Sequence, residues 1–177
     1  METGSAAEVR RWVFDRPCEG LTELGREVTE PRHFLKLCGS GETLRAALPP
    51  RWQLLPPSHF MIAGTARWEA PLMPEGYVLH PSRQGDVASV VVTAPDGSLA
   101  ASGHAAEASG AFVYDRIETA LEHRRRGLGS IVLSVLASFR SSAAIPQLLV
   151  ATEDGRALYA RLGWTMLSPY STAVIPA

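Results

Sequence analysis

The chain has 177 residues, 46% of them hydrophobic and 20% charged, within the ~100–200 residues of one domain and with the balance of a globular rather than a disordered protein. Seventeen basic and eighteen acidic side chains leave a net charge of −1, which excludes a polybasic nucleic-acid binder held by phosphate neutralisation. No apolar run reaches the ~18 residues a membrane span requires, and the acidic start Met1–Ser5 has no signal-peptide character.

Cys18 and Cys38 make no disulfide framework, so the expectation is a soluble, cytoplasmic protein without a membrane partner. The scattered histidines and the lack of Cys-x-x-Cys spacing point to no metal site.

Proline and glycine punctuate the chain. Residues 49–57 hold four prolines and 71–81 three more, and Gly64–Met73 between them reads as a connector. Gly76–His80 reads as a short strand. Val87–Thr93, rich in β-branched residues, reads as a strand, Pro95-Asp96-Gly97 as a turn, and Leu99–Glu107 as the return of a hairpin. Ala111–Ala120 reads as another strand.

Leu128, Ile131, Val132, Val135, Leu136 and Phe139 form one apolar stripe at helical spacing. That helix should end before Pro146. Gln147–Ala151 then reads as a buried strand, and Gly155–Leu162 as a helix stopped by Gly163. Trp164–Leu167 and Ser171–Ile175 read as two final strands around Ser168-Pro169. The order predicts a mixed α+β sheet.

The first 63 residues echo the last 65. Val13-Phe-Asp-Arg16 matches Val113-Tyr-Asp-Arg116, Phe34–Leu37 aligns with Leu148–Ala151, Gly41–Leu44 with Gly155–Leu158, and Trp52–Pro57 with Trp164–Pro169. A partial repeat of this kind predicts a β-α-β-α-β-β unit over 10–63. Trp12, Trp52, Trp68, Phe14, Phe34 and Phe60 are its candidate core. The early copy lacks 14 residues between its Asp-Arg and its next strand.

Those 14 residues contain the most informative stretch, His123-Arg-Arg-Arg-Gly-Leu-Gly-Ser130. Arg124, Gly127 and Gly129 fit Arg/Gln-x-x-Gly-x-Gly/Ala, after a strand and at the head of the amphipathic helix. Glycine lets the backbone approach an anion, the first helical turn presents unbonded N–H groups, and arginine adds charge. Alone, such a loop reads more readily as a solvated basic turn that merely starts a helix. The context singles it out: Asp115-Arg-Ile-Glu-Thr119 before it, Leu148-Leu-Val-Ala151 and Ala157-Leu-Tyr-Ala-Arg-Leu-Gly-Trp164 after it.

This pattern resembles the GNAT superfamily, the Gcn5-related N-acetyltransferases, over residues ~76–177. The resemblance implies a mixed, mostly antiparallel sheet flanked by helices, with acetyl-CoA as cosubstrate. It divides the chain into a degenerate half-module (1–65), a connector (66–75) and an acetyl-CoA-binding domain (76–177). It also implies that Arg124, Arg125, Arg126, Gly127, Leu128, Gly129 and Ser130 hold the pyrophosphate. Ile117, Glu118 and Thr119 would offer main-chain groups to the pantetheine arm and the thioester carbonyl.

Tyr159 matches the family's general acid toward the leaving thiolate; as a packing residue it would sit beside Leu158 and Leu162. Thr152 stands where an asparagine contacting the CoA arm is usual. For the base, Glu118 and Asp115 remain open, with His104 and Glu107 behind them and a water relay without a dedicated base as the other option. Strand alternation places Asp115 and Glu118 on opposite faces, so that only one could face an acceptor.

The acceptor implied is a primary amine on a small molecule or peptide. A non-catalytic acyl-CoA-binding or protein-interaction module is the alternative. Two departures stand out: Thr119-Ala-Leu121 replaces Val-x-Pro, and only Pro81–Asp86 stands where two helices are usual. Arg45 occupies the place of Tyr159 in the early copy. A homodimer through edge pairing of the last strands is left open.

Overall fold

The computed structural model describes residues 2–5, 8–64 and 69–177. Trp68, one of the candidate core aromatics, and part of the expected connector lie outside them. Two compact units emerge, and neither is continuous in sequence. The first gathers Met1–Met61, Val150–Arg161 and Thr165–Ala177; the second comprises Ile62–Leu149 and Leu162–Trp164.

In the first unit the chain runs through β1 (Glu2–Ser5), β2 (Glu8–Phe14), α1 (Glu19–Glu27), β3 (His33–Cys38), α2 (Gly41–Ala47), β4 (Gln53–Leu54) and β5 (Ser58–Ala63, whose end passes into the second unit). From β2 onward this is the order β-α-β-α-β-β. β2 pairs parallel to β3, with Trp12 opposite Leu35 and Phe14 opposite Leu37. Alternation on β3 turns Leu35 and Leu37 inward, where they meet Leu21, Leu44, Leu48 and Trp52. Each such leucine contributes roughly 1.5–3 kcal/mol on burial. Trp12 and Phe14 pack against this core from its margin, so it is built from leucines around one tryptophan rather than from the aromatic set expected.

Two arginines hold the helix ends. Arg51 donates from Nη2 to the carbonyls of Gly25 (2.8 Å) and Arg26 (2.5 Å) and from Nε to that of Val28 (3.0 Å), satisfying the C-terminus of α1. Trp52 Nε1 donates to the Gly25 carbonyl at 2.8 Å. Arg45 donates to the carbonyls of Leu48 and Pro49, each at 2.6 Å, and to that of Trp52.

The last strand, β11 (Trp164–Val174), is continuous where two strands were expected. Its ladder with β3 begins at Tyr170, so Pro169 falls just outside that pairing, where its missing N–H costs nothing. β11 is also an interior strand, flanked by β3 on one side and by β4 and β5 on the other. Edge pairing of this strand is therefore not a route to a homodimer.

The second unit is an antiparallel meander. β6 (Val78–Gln84), β7 (Val87–Thr93), β8 (Leu99–Ala108) and β9 (Ala111–Thr119) follow one another. β6 is longer than expected because only Gly85 and Asp86 turn the chain between it and β7, with Gln84 opposite Val87; Gly85 has φ +60°. No helix intervenes there.

β10 (Gln147–Thr152) opens on the parallel side of β9, and their ladder covers only Phe112–Tyr114 against Gln147–Leu149. α3 (Leu128–Ala137) packs Leu128, Val132, Leu133 and Leu136 into a core with Val90, Val92, Ala105 and Phe112. α4 (Glu153–Arg161) follows β10 in the chain and belongs to the first unit. The whole is an α+β fold with a mixed, mostly antiparallel sheet flanked by helices.

Among the described residues no helix is long and apolar enough to cross a membrane.

Candidate active site

The loop before α3 is built as the sequence suggested. β9 ends at Thr119, a 3₁₀ turn spans Leu121–His123, and the chain enters α3 through Gly127 at φ +80°, ψ 0°. The 3₁₀ turn takes the place of the absent proline. Its His123 and Arg124 N–H groups donate to the Ala120 and Leu121 carbonyls. The first intrahelical donors are Ser130 and Ile131, both to the Gly127 carbonyl at 3.0 and 3.1 Å. The Leu128 and Gly129 N–H groups therefore stand at the head of the helix without an intrahelical acceptor.

Among the described residues Arg124, Arg125 and Arg126 form no ion pair with a carboxylate. Arg124 Nε reaches back to the Thr119 carbonyl at 3.3 Å, and Arg125 holds a left-handed φ of +63°. Such a strained non-glycine residue costs ~1–3 kcal/mol and clusters at ligand clamps.

Sequence reading missed the loop's supports. Tyr77 Oη lies 2.9 Å from His123 Nδ1, with the rings edge to face. The Arg126 guanidinium stands 5.9 Å over the Tyr77 ring. Pro71 rests on Gly127, where a Cβ would lie 2.5 Å from the Pro71 Cγ. No periodicity marks Tyr77 or Pro71, because both act across long sequence separations.

β9 corrects the assignment of faces. Ser102 pairs with Glu118 and His104 with Asp115, so Arg116 and Ile117 together oppose the single residue Gly103. This is a β-bulge, with Arg116 at φ +49°. The extra residue reverses alternation beyond it. Asp115 and Glu118 thus share one face, with His104 and Ser102, instead of lying on opposite faces.

Ile117 is thrown onto the α3 side. A Cβ on Gly103 would lie 2.5 Å from Ile117 Cδ1 and 2.7 Å from Val132 Cγ1. The Ile117 side chain is therefore spent on packing, leaving its main chain as the ligand-competent part. Asp115 Oδ2 accepts from Arg116 Nε at 3.2 Å on an exposed surface, a contact worth little in stability. Glu107 is engaged elsewhere: it accepts from the Ser141 backbone N–H (3.0 Å) and hydroxyl (2.7 Å), and these bonds hold its carboxyl below the usual range.

In the first unit, Thr152 caps α4, its Oγ1 accepting from Gly155 N–H at 3.2 Å. Gly155 lies against the Tyr159 ring, with Cε2 3.3 Å from a would-be Cβ. Tyr159 is buried, and burial pushes its phenol up to about 12. It is thus protonated at neutral pH. A cleft of 460 Å³ borders Thr152, with Leu55 and Pro57 on its apolar side and Glu153 and Asp154 on its polar side. Glu153 is held low by His59 (2.6 Å) and then by Arg156 (2.6 Å). Among the described residues no group of three His, Cys, Asp or Glu side chains is placed to hold a metal.

No family model matches the sequence, and no curated protein is similar to it. Solved structures are similar. A GCN5-related N-acetyltransferase from Kribbella flavida superposes with a TM-score of 0.59 at 16% identity, over 82% of this chain and 68% of its own. A putative acetyltransferase of the GNAT family from Novosphingobium aromaticivorans gives 0.62 at 16%, over 92% and 83%. A tandem GNAT protein from the clavulanic acid biosynthesis pathway gives 0.55 at 16%, over 88% and 68%. At such identities the likeness is one of fold: this chain has the fold of the GNAT acetyltransferases.

Proposed function

We propose that the chain is an N-acetyltransferase, moving the acetyl group of acetyl-CoA to a primary amine of a small molecule or peptide by direct attack in a ternary complex. The observation that carries this reading is the head of α3. There the left-handed Gly127 presents the Leu128 and Gly129 amides ahead of a helix, beside three arginines that form no ion pair among the described residues. Main-chain donors, helix dipole and guanidinium charge together suit a pyrophosphate.

On this reading Arg124–Ser130 hold the pyrophosphate. The Ile117–Thr119 main chain, left without a β10 partner, pairs with the pantetheine arm, and an N–H there polarises the thioester carbonyl. Thr152 keeps its hydroxyl hydrogen for the same arm. Tyr159 donates to the leaving sulfur. A phenol at about 12 facing a thiol of ~8.5 stabilises the thiolate by a hydrogen bond more readily than by complete proton transfer. Glu118 and Asp115, on one face, are both available on the acceptor side.

Residues 1–65 form a degenerate half-module in this reading. Asp15–Cys18 join β2 directly to α1 with no room for a phosphate loop, and Arg45 is committed to three carbonyls.

Calorimetry with CoA and free-thiol release from acetyl-CoA across a panel of amines and peptides test the reading. Micromolar CoA binding and turnover are expected, and neutralising Arg124, Arg125 and Arg126 together should weaken binding at least tenfold. Absence of CoA binding overturns the reading. Binding without turnover across the panel favours a non-catalytic acyl-CoA-binding module, a reading that the missing helices between β6 and β7 support.

A further inference from the structure

The bulge in β9 aligns a row of polar side chains across three strands. Register places Ser89 of β7 opposite His104 of β8, and His104 opposite Asp115 of β9. Ser89 Oγ lies 2.9 Å from His104 Nδ1. Glu118 and Ser102 occupy the adjacent row on the same face. α3 covers the opposite face, where Gly103 meets Val132 and Leu136. His104 thus has Nδ1 held by a neighbour, on the face opposite α3 and next in register to the strand end assigned above to the thioester.

From this juxtaposition the geometry points to His104 as the group that takes the proton from the acceptor ammonium, with Ser89 as its positioning residue; this rests on the acetyl-transfer reading. Nδ1–H donates to Ser89 Oγ, which leaves Nε2 unprotonated and basic. The acceptor R–NH₃⁺ gives a proton to Nε2, and the freed lone pair forms the C–N bond at the thioester carbon. The C–S bond breaks, the thiolate takes the second amine proton as CoA–SH, and His104 returns its proton to water.

An imidazole suits this step better than the carboxylates beside it. As a class, imidazoles combine base strength and availability at physiological pH better than carboxylates do. The charged groups facing His104 are Asp115, with Arg116 beside it, and Glu118, all on β9. From β7 it meets Ser89, Val87 and Val91, and from β8 itself Ser102 and Ala106.

Two measurements on the full chain test the assignment. Long-range ¹H–¹⁵N spectra at neutral pH should show the His104 tautomer protonated on Nδ1; an Nε2–H tautomer overturns the assignment whatever the enzyme does. His104→Gln and His104→Asn should keep CoA affinity within twofold while kcat/KM for the best amine of the panel falls ~100-fold or more, with loss of the acidic limb of its pH profile. Ser89→Ala should shift that limb and Ser89→Thr restore it.

A histidine variant with native CoA affinity and an unchanged pH profile overturns the inference and leaves acetyl transfer standing. Failure of the wild-type chain to bind CoA removes both, and it shows in calorimetry before any histidine is changed.

Discussion

Gly103 is where a single atom decides the packing of the second unit. A Cβ there would meet Ile117 at 2.5 Å and Val132 at 2.7 Å, so Gly103→Val should destabilise the protein by ~1–3 kcal/mol through overpacking, read as a lower urea midpoint at unchanged slope. Tyr159 makes a second residue-scale prediction. Its phenol is raised from 10 to about 12 by burial, so the unfolded chain loses this proton first as pH rises. Its contribution is complete below pH ~10 and fades by pH ~12, a loss of roughly 3 kcal/mol. Tyr159→Phe should flatten part of the alkaline decline in melting temperature, and it should lower acetyl turnover while CoA still binds.

The same scale shows what sequence reading could and could not reach. The Arg124–Gly129 loop was legible because its physics is local: glycine dihedrals and a helix start. The shared face of Asp115 and Glu118 was not, because the bulge turns on Arg116 at positive φ, a conformation that glycine usually announces.

Among the elements, α1 depends on a residue far from it in sequence. Arg51 supplies three hydrogen bonds to its last carbonyls. Arg51→Ala removes the side-chain donor of the Arg26 and Val28 carbonyls, leaving Gly25 with Trp52 Nε1, and should cost ~2 kcal/mol, with faster amide exchange confined to α1 and its neighbours in the first unit. α3 was read correctly from its stripe because its apolar positions are governed by one period and one partner sheet. β11 was split in two because proline ordinarily ends a strand; that inference failed since Pro169 lies one residue before its ladder with β3. Short pairings between distant segments leave no periodic trace in either partner; β1 and the far half of β6 pair with close neighbours in sequence, but Glu2–Ser5 and Pro81–Gln84 carry no apolar alternation to mark them as strands.

For the molecule as a whole, chain order and compactness part company. The first unit takes residues from both termini, and its core joins Leu35 and Leu37 of β3 to Ala173 and Ile175 near the C-terminus. Deleting residues 1–65 should therefore leave β11 without its β3 ladder and abolish cooperative unfolding; a soluble remainder with full CoA binding and turnover would show that the N-terminal segment is dispensable.

The two-residue link at Gly85–Asp86 carries its own corollary. Between β6 and β7 no helix stands beside the Ser89–His104–Asp115 row, so on the proposed reading that side of the acceptor would be met by the row's polar groups rather than by a helical wall. On the acetyl-transfer reading proposed above, exchanging one or two side chains of this row should redirect acceptor preference, and a screen that includes peptides beside small amines would show it.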